Sequence, residues 1–209
     1  MRWSEHPQGS EGWFADRLGI ATASCFADVM ATVKTGEATE RKKYRARLVV
    51  ERLTRKPLAT FENAAMKQGR EREPHGRAGY EALTGHLVQE VGLCLHDTIE
   101  AGASPDGLVG KRGGLEIKCP ELPAHLEYLK LDAEPAAYRW QIQGQMWICE
   151  LDWVDFVSFN PDFPEHLQLI VRRIKRDEDA IKKLAEAVAQ FMAEVREEEQ
   201  RIRNLKVAA

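Results

Sequence analysis

Ser104-Pro105-Asp106-Gly107-Leu108 … Leu115-Glu116-Ile117-Lys118-Cys119-Pro120 reads as two short strands joined by a turn at Lys111-Arg112-Gly113-Gly114. The paired glycines offer the positive-φ freedom that a tight hairpin connection uses. Side chains alternate along a strand, so Glu116 and Lys118 share one face while Leu115 and Ile117 take the other. Adjacent strands lie roughly 4.8 Å apart, which lets Asp106 approach Glu116. Two carboxylates and one ammonium thus converge at a sheet edge. Paired carboxylates suit a hard divalent cation with oxygen ligands, such as Mg²⁺. A lysine beside them can orient or deprotonate an attacking water, or steady a developing negative charge. The plainer reading of the same pattern is a surface hairpin whose Glu116 and Lys118 form an exposed ion pair.

Around this hairpin the chain is that of a globular protein. With 209 residues, 44% hydrophobic and 30% charged, it can bury a sizeable core, and one domain over residues 1–209 is expected. No apolar run approaches the ~20 residues of a membrane span, and Met1-Arg2-Trp3-Ser4-Glu5-His6 has no apolar leader core, which makes the cytoplasm the expected compartment. Cys25, Cys94, Cys119 and Cys149 are scattered without a C-x-x-C pair, which speaks against a zinc ribbon or a disulfide framework. The formal net charge is −3, yet residues 33–56 hold nine Lys/Arg against three Glu. A basic segment on an acidic body suits contact with a polyanion at one restricted surface.

Trp13 to Ser24 opens with a short helical turn ended by Gly19, after which Thr22 or Ser24 can cap a helix beginning near Cys25. Arginine, hydroxyls and a helix start together make a ready anion site. A helix from Thr39 or Glu40 to about Leu53 turns Tyr44 and Leu48 inward and Arg41, Lys42, Arg45 and Arg52 outward, where they can grip phosphates without reading sequence. Glu62 to Thr84 reads as one long helix bent around Pro74, and Val88 to His96 as a strand. A helix over Tyr138 to Trp147 puts Gln141 and Gln145 on one face. Strands at 154–160 and 167–171 complete a small mixed sheet, and an amphipathic helix runs from about 177 to 206.

The pair Pro105-Asp106 with Glu116-Ile117-Lys118, in its fuller setting S-P-D-G-L and L-E-I-K-C-P, resembles the PD-(D/E)xK nucleases and, among them, the YqaJ / lambda-type phage alkaline exonucleases. The resemblance implies an α/β (α+β) restriction-endonuclease-like core, with a small mixed central sheet flanked by helices. It implies a Mg²⁺-dependent 5′→3′ exonuclease that degrades one strand of linear double-stranded DNA to 5′-mononucleotides and leaves 3′ overhangs for recombination by strand annealing. Asp106, Glu116 and the Ile117 backbone carbonyl would hold metal, with two Mg²⁺ per site, or Mn²⁺ in their place. Lys118 would act on the water, and Gln141 would reach that water or the substrate. Gln68-Gly69-Arg70-Glu71-Arg72-Glu73 matches the family's G-x-x-x-E element, and its register favours Glu73 over Glu71 as a further acid at the metal. Arg17, Ser24 and Ser104 would bind the terminal 5′-phosphate. Lys34 would approach duplex DNA and Met66 would wedge its end apart. A ring-shaped homotrimer and a single-strand annealing recombinase as partner are also implied. Two alternatives stay open: a structure- or sequence-specific endonuclease on the same core, and an end-binding module without catalysis.

Overall fold

The computed structural model describes residues 1–58 and 64–205, excluding the side chains of residues 65 and 66. In chain order the first elements are β1 (Arg2–Trp3), α1 (Glu11–Asp16), β2 (Ala21–Thr22), α2 (Phe26–Met30), α3 (Thr39–Thr54) and α4 (Ala64–Thr84). Four short strands follow, β3 (Val88–Gln89), β4 (Cys94–Leu95), β5 (Ala101–Ala103) and β6 (Gly107–Val109), and then β7 (Gly113–Lys118). The rest is α5 (Leu122–Leu129), α6 (Arg139–Ile148), β8 (Trp153–Phe159), β9 (Leu169–Lys175) and α7 (Glu178–Arg203).

The strands form two mixed sheets, ordered β1-β4-β5-β2 and β3-β6-β7-β8-β9, where the sequence suggested one. The stretch expected as a single strand at 88–96 divides between them, β3 pairing with β6 and β4 with β5. The chain crosses from one sheet to the other at Ser104-Pro105, and a proline, having no N–H, cannot continue a ladder. In the larger sheet β7 runs antiparallel to β6 and parallel to β8, with α5 and α6 in the connection between β7 and β8. The alternation expected on β7 holds. Leu115 and Ile117 pack with Tyr80 of α4 and Val157, which leaves Glu116 and Lys118 facing α6.

The hairpin turn differs from the expectation. Positive φ falls at Gly110 (φ 62°), while Gly113 and Gly114 lie inside β7. Gly113 is needed for space instead, because a Cβ there would come within 2.2 Å of the Trp153 ring and 2.6 Å of the Val109 carbonyl oxygen. Gly113→Ala is expected to destabilise the protein by about 1–3 kcal/mol, the cost of overpacking a filled site. A urea titration checks this, and an unchanged midpoint would overturn it.

α3 has the expected span, and its Tyr44 and Leu48 are buried, with Tyr44 stacked on Phe191 of α7 at 5.4 Å. Its arginines do not point away from the body. Arg41 donates to Glu194 at 2.8 and 3.0 Å, Arg45 to Glu198 at 2.8 Å, and both pair with Glu37. Arg52 pairs with Glu100 at 2.8 Å. The expectation that Arg41, Arg45 and Arg52 face outward is therefore corrected, since acids on α7 meet their charge across the α3–α7 seam. Counting charge within one segment could not show partners that lie 153 residues further on. Lys42 is exposed on α3, and Lys34 is exposed in the loop between α2 and α3. α7 begins at Asp177, whose side chain accepts from the Ala180 N–H, and buries Ile181, Leu184, Val188, Phe191, Met192 and Val195. Among the described residues no helix is long and apolar enough to cross a membrane.

Candidate active site

Glu116 is 1% exposed, accepts two hydrogen bonds and is paired with an ammonium. Gln141 donates to Oε1 at 2.6 Å, Gln145 donates to Oε2 at 2.5 Å, and the Lys118 ammonium lies 2.5 Å from Oε1. One turn of α6 sets the two glutamines four residues apart, which suits the two oxygens of a single carboxylate. Lys118 also sits 4.9 Å from the Tyr138 ring centroid, a cation–π contact that steadies its ammonium.

Asp106 lies just before β6. Its N–H donates to the Leu115 carbonyl at 3.0 Å, and its Oδ2 accepts from the Ile117 N–H at 2.6 Å. Backbone pairing thus fixes Asp106 beside the strand that carries Glu116. Burial, and then the charges of Glu116 and Glu73, push the Asp106 carboxyl well above the usual carboxylate range. Burial also raises the Glu73 pKa, against the pull of Arg77, which it meets at 2.9 Å. Burial works against the Lys118 charge, but Glu116 and Asp106 outweigh it, and its pKa lies above the ordinary lysine value. Next to it, burial pushes the Cys119 thiol up to about 12, and all four cysteines are free.

On the other side of the same space Arg17 lies over the Trp13 ring at 3.9 Å. Its Nη2 donates to Thr22 Oγ1 at 3.4 Å, and Thr22 Oγ1 is 3.3 Å from Ser24 Oγ. Trp13 Nε1 donates to Ser104 Oγ at 2.9 Å. No ion pair occupies Arg17 among the described residues. The helix cap expected from Thr22 or Ser24 is absent, because the chain enters α2 through a 3₁₀ turn at Ala23–Cys25 whose start makes no side-chain cap bond. The Ser24 hydroxyl is left exposed at the cavity instead.

Arg17, Ser24 and Ser104 line one cavity of about 150 Å³ together with Asp106, Glu116, Lys118, Gln141 and Gln145. Glu73 lines a neighbouring cleft of about 720 Å³ that shares Asp106 with the first. The Met66 side chain lies outside the described residues. Gln141, expected to reach the water or substrate, instead donates to Glu116, and so does Gln145, for which the sequence offered only a position one turn along the same helix face.

Among the described residues no group of three or more His, Cys, Asp or Glu side chains stands together as a metal cage. The donor set at β7 nevertheless suits one hard cation. Asp106, Glu116 and the Ile117 carbonyl are all oxygen donors. A carboxylate has about four acceptor positions, so Glu116, with its two glutamine bonds and the Lys118 ion pair, keeps acceptor capacity for a cation. Burial, and then the charges of Glu116 and Glu73, disfavour the ionised Asp106 carboxylate, and a cation held there would offset that cost.

Comparison with known proteins shows the family and the fold. A family model described as a YqaJ-like viral recombinase domain matches residues 12–152. The crystal structure of LHK-Exo in complex with dAMP is 43% identical, with a TM-score of 0.87 over 93% of this chain and 96% of that one. The crystal structure of the alkaline exonuclease LHK-Exo from Laribacter hongkongensis is 42% identical, with a TM-score of 0.86 over the same shares. A phage-related exonuclease from Haemophilus somnus 129PT, 18% identical, shares the fold at a TM-score of 0.66 over 86% of this chain and 96% of that one. No curated protein matches the chain. With the family model spanning most of the chain and a 43% identical alkaline exonuclease covering nearly all of it, the chain belongs to the YqaJ-like viral recombinase family, on a restriction-endonuclease-like fold.

Proposed function

We propose that the chain is a Mg²⁺-dependent 5′→3′ exonuclease that degrades one strand of linear double-stranded DNA to 5′-mononucleotides, leaving 3′ overhangs. The observation that carries this reading is that one cavity holds both an anion subsite and the paired carboxylates. Arg17, held by its stack on Trp13, offers a fixed positive charge beside the hydroxyls of Ser24 and Ser104. A terminal 5′-phosphate matches that charge and size, and only a strand end presents one. That LHK-Exo is known in complex with dAMP supports a mononucleotide-sized site in a close relative.

Asp106, Glu116 and the Ile117 carbonyl would hold the first divalent cation, with Glu73 entering from the adjoining cleft toward a second. Such a cation lowers the pKa of water and offsets charge on the scissile phosphate, and Mn²⁺ suits the same oxygen donors. Gln141 and Gln145, one on each carboxylate oxygen, fix the orientation of Glu116. Lys118, an ammonium at neutral pH, acts as a donor, holding the nucleophilic water and meeting negative charge as it develops. The resemblance also supports a ring-shaped homotrimer around duplex DNA that passes the 3′ strand to a single-strand annealing recombinase. Sedimentation of the purified chain tests the ring, and co-purification tests the partner.

The deciding experiment digests linear duplexes labelled separately at each 5′ and 3′ end, with 5′-phosphate or 5′-hydroxyl termini, in Mg²⁺. Release of 5′ label as mononucleotide, faster from phosphorylated ends, is expected. Cuts in closed circular DNA would replace this reading with the endonuclease, and end binding without release would replace it with the silent module.

Gln145→Leu removes the donor to Glu116 Oε2 while keeping most of the side-chain volume. Leaving a buried carboxylate short of one bond costs about 1.5–3 kcal/mol, and turnover is expected to fall at least tenfold. Urea melts and single-turnover rates check both. Wild-type rates in the variant would show that Gln141 and Lys118 suffice.

A further inference from the structure

A nucleotide whose 5′-phosphate sits at Arg17 and whose next phosphate sits at Asp106 and Glu116 must place its base somewhere. The cavity between those groups is about 150 Å³, half the lower bound of roughly 300 Å³ for clefts that enclose small organic ligands. It holds phosphate and little else. The adjoining cleft, of about 720 Å³, is large enough, and the two share the wall residues Gln8 and Asp106. Phe14 lines this larger cleft and is 47% exposed. It packs on buried Trp13 in an edge-on arrangement, with ring centroids 4.9 Å apart and planes 76° apart. The same tryptophan carries Arg17 on its ring. One rigid side chain therefore ties the phosphate subsite to an aromatic surface in the next cleft. Arg77, also lining that cleft, has a buried Nε–H without a hydrogen-bond partner.

We propose that the larger cleft receives the base of the 5′-terminal nucleotide, stacked on Phe14. This rests on the exonuclease reading above and adds the base subsite to it. Stacking on an aromatic ring is sequence-tolerant because every base has a π-face, so an enzyme reading ends through Phe14 would accept all four bases.

The test measures affinity in Ca²⁺, without turnover, for 5′-phosphorylated duplexes whose first nucleotide either carries its base or is abasic. Wild-type protein is expected to bind the base-bearing end about tenfold more tightly, the scale of one base–aromatic stack. Phe14→Ala should bring the two affinities within about twofold of each other, and Phe14→Tyr should restore the difference. In all three proteins the preference for a 5′-phosphate over a 5′-hydroxyl end should stay unchanged. Equal wild-type affinity for both ends, or a Phe14→Ala variant that still discriminates, overturns the proposal, as does failure to bind ends at all. Mononucleotide release from the same duplexes in Mg²⁺ reports separately on the exonuclease reading. Loss of release with the affinity ratio intact therefore sinks that reading and leaves the base cleft standing.

Discussion

Lys118→Ala is expected to slow mononucleotide release by about three orders of magnitude, with end binding in Ca²⁺ held within about threefold of wild type. The size follows from what the ammonium does. A positioned proton-transfer group typically contributes 10²–10⁴-fold, and a preorganised donor aimed at developing charge contributes 10²–10³-fold. Lys118 is preorganised on two sides, by Glu116 Oε1 at 2.5 Å and by the Tyr138 ring at 4.9 Å. Its pKa lies above the ordinary lysine value, so the donor persists through the mildly alkaline range. Alanine leaves Glu116 with its two glutamine donors, which keeps the carboxylate in place and limits the damage to stability. Lys118→Arg separates charge from geometry. It keeps a cation but spreads it over a planar fork that cannot take the place of a point ammonium between Glu116 and Tyr138. If release from Lys118→Ala stayed within tenfold of wild type, Lys118 would be a counter-ion for Glu116 and nothing more.

The site was legible in the sequence wherever one element decides its geometry. The alternation of Leu115-Glu116-Ile117-Lys118 survives intact because a buried strand has only two faces, and Leu115 and Ile117 claim the α4 side. Gln141 and Gln145 were visible as one face of a helix, but nothing local said that both would reach the same carboxylate. That depends on α6 lying against β7, which is a tertiary fact. The same limit explains the arginines of α3. Their spacing marked a charged stripe, and only the packing of α7 turned that stripe into a seam with Glu194 and Glu198. The division into two sheets was hidden for a different reason. β3, β4 and β5 are only two or three residues long, too short for periodicity to assign them to one ladder or another. The larger cleft was hidden too, since it joins residues 3–14 to α4 and to the 89–92 segment.

Asp106→Asn is expected to abolish measurable release and at the same time to raise the melting temperature of the metal-free protein at neutral pH. Both effects come from the placing of one carboxylate, buried and set beside Glu116 and Glu73. The folded-state pKa of Asp106 is raised by burial and by Glu116 and Glu73, so the folded chain keeps this proton at a pH where the unfolded chain has released it. Its contribution favours folding fully below the ordinary aspartate value of about 3.9. That contribution is lost as pH rises through the folded-state pKa, and above it the ionised carboxylate is a net cost. Asparagine carries no charge, and its side-chain carbonyl can still accept from the Ile117 N–H, so the substitution removes the cost and keeps the bond. Each kcal/mol recovered moves the melting temperature by about 2–4 °C in a protein of this size. The gain should shrink as the pH is lowered toward 4, where wild-type Asp106 is protonated as well. Mg²⁺ should reverse the order. A ligand at 100 times its dissociation constant stabilises by about 2.7 kcal/mol, and wild type should collect that stabilisation while Asp106→Asn does not. A variant that melts below wild type without metal would mean that Asp106 is held as a favourable charge. A variant stabilised by Mg²⁺ as strongly as wild type would place the cation away from Asp106.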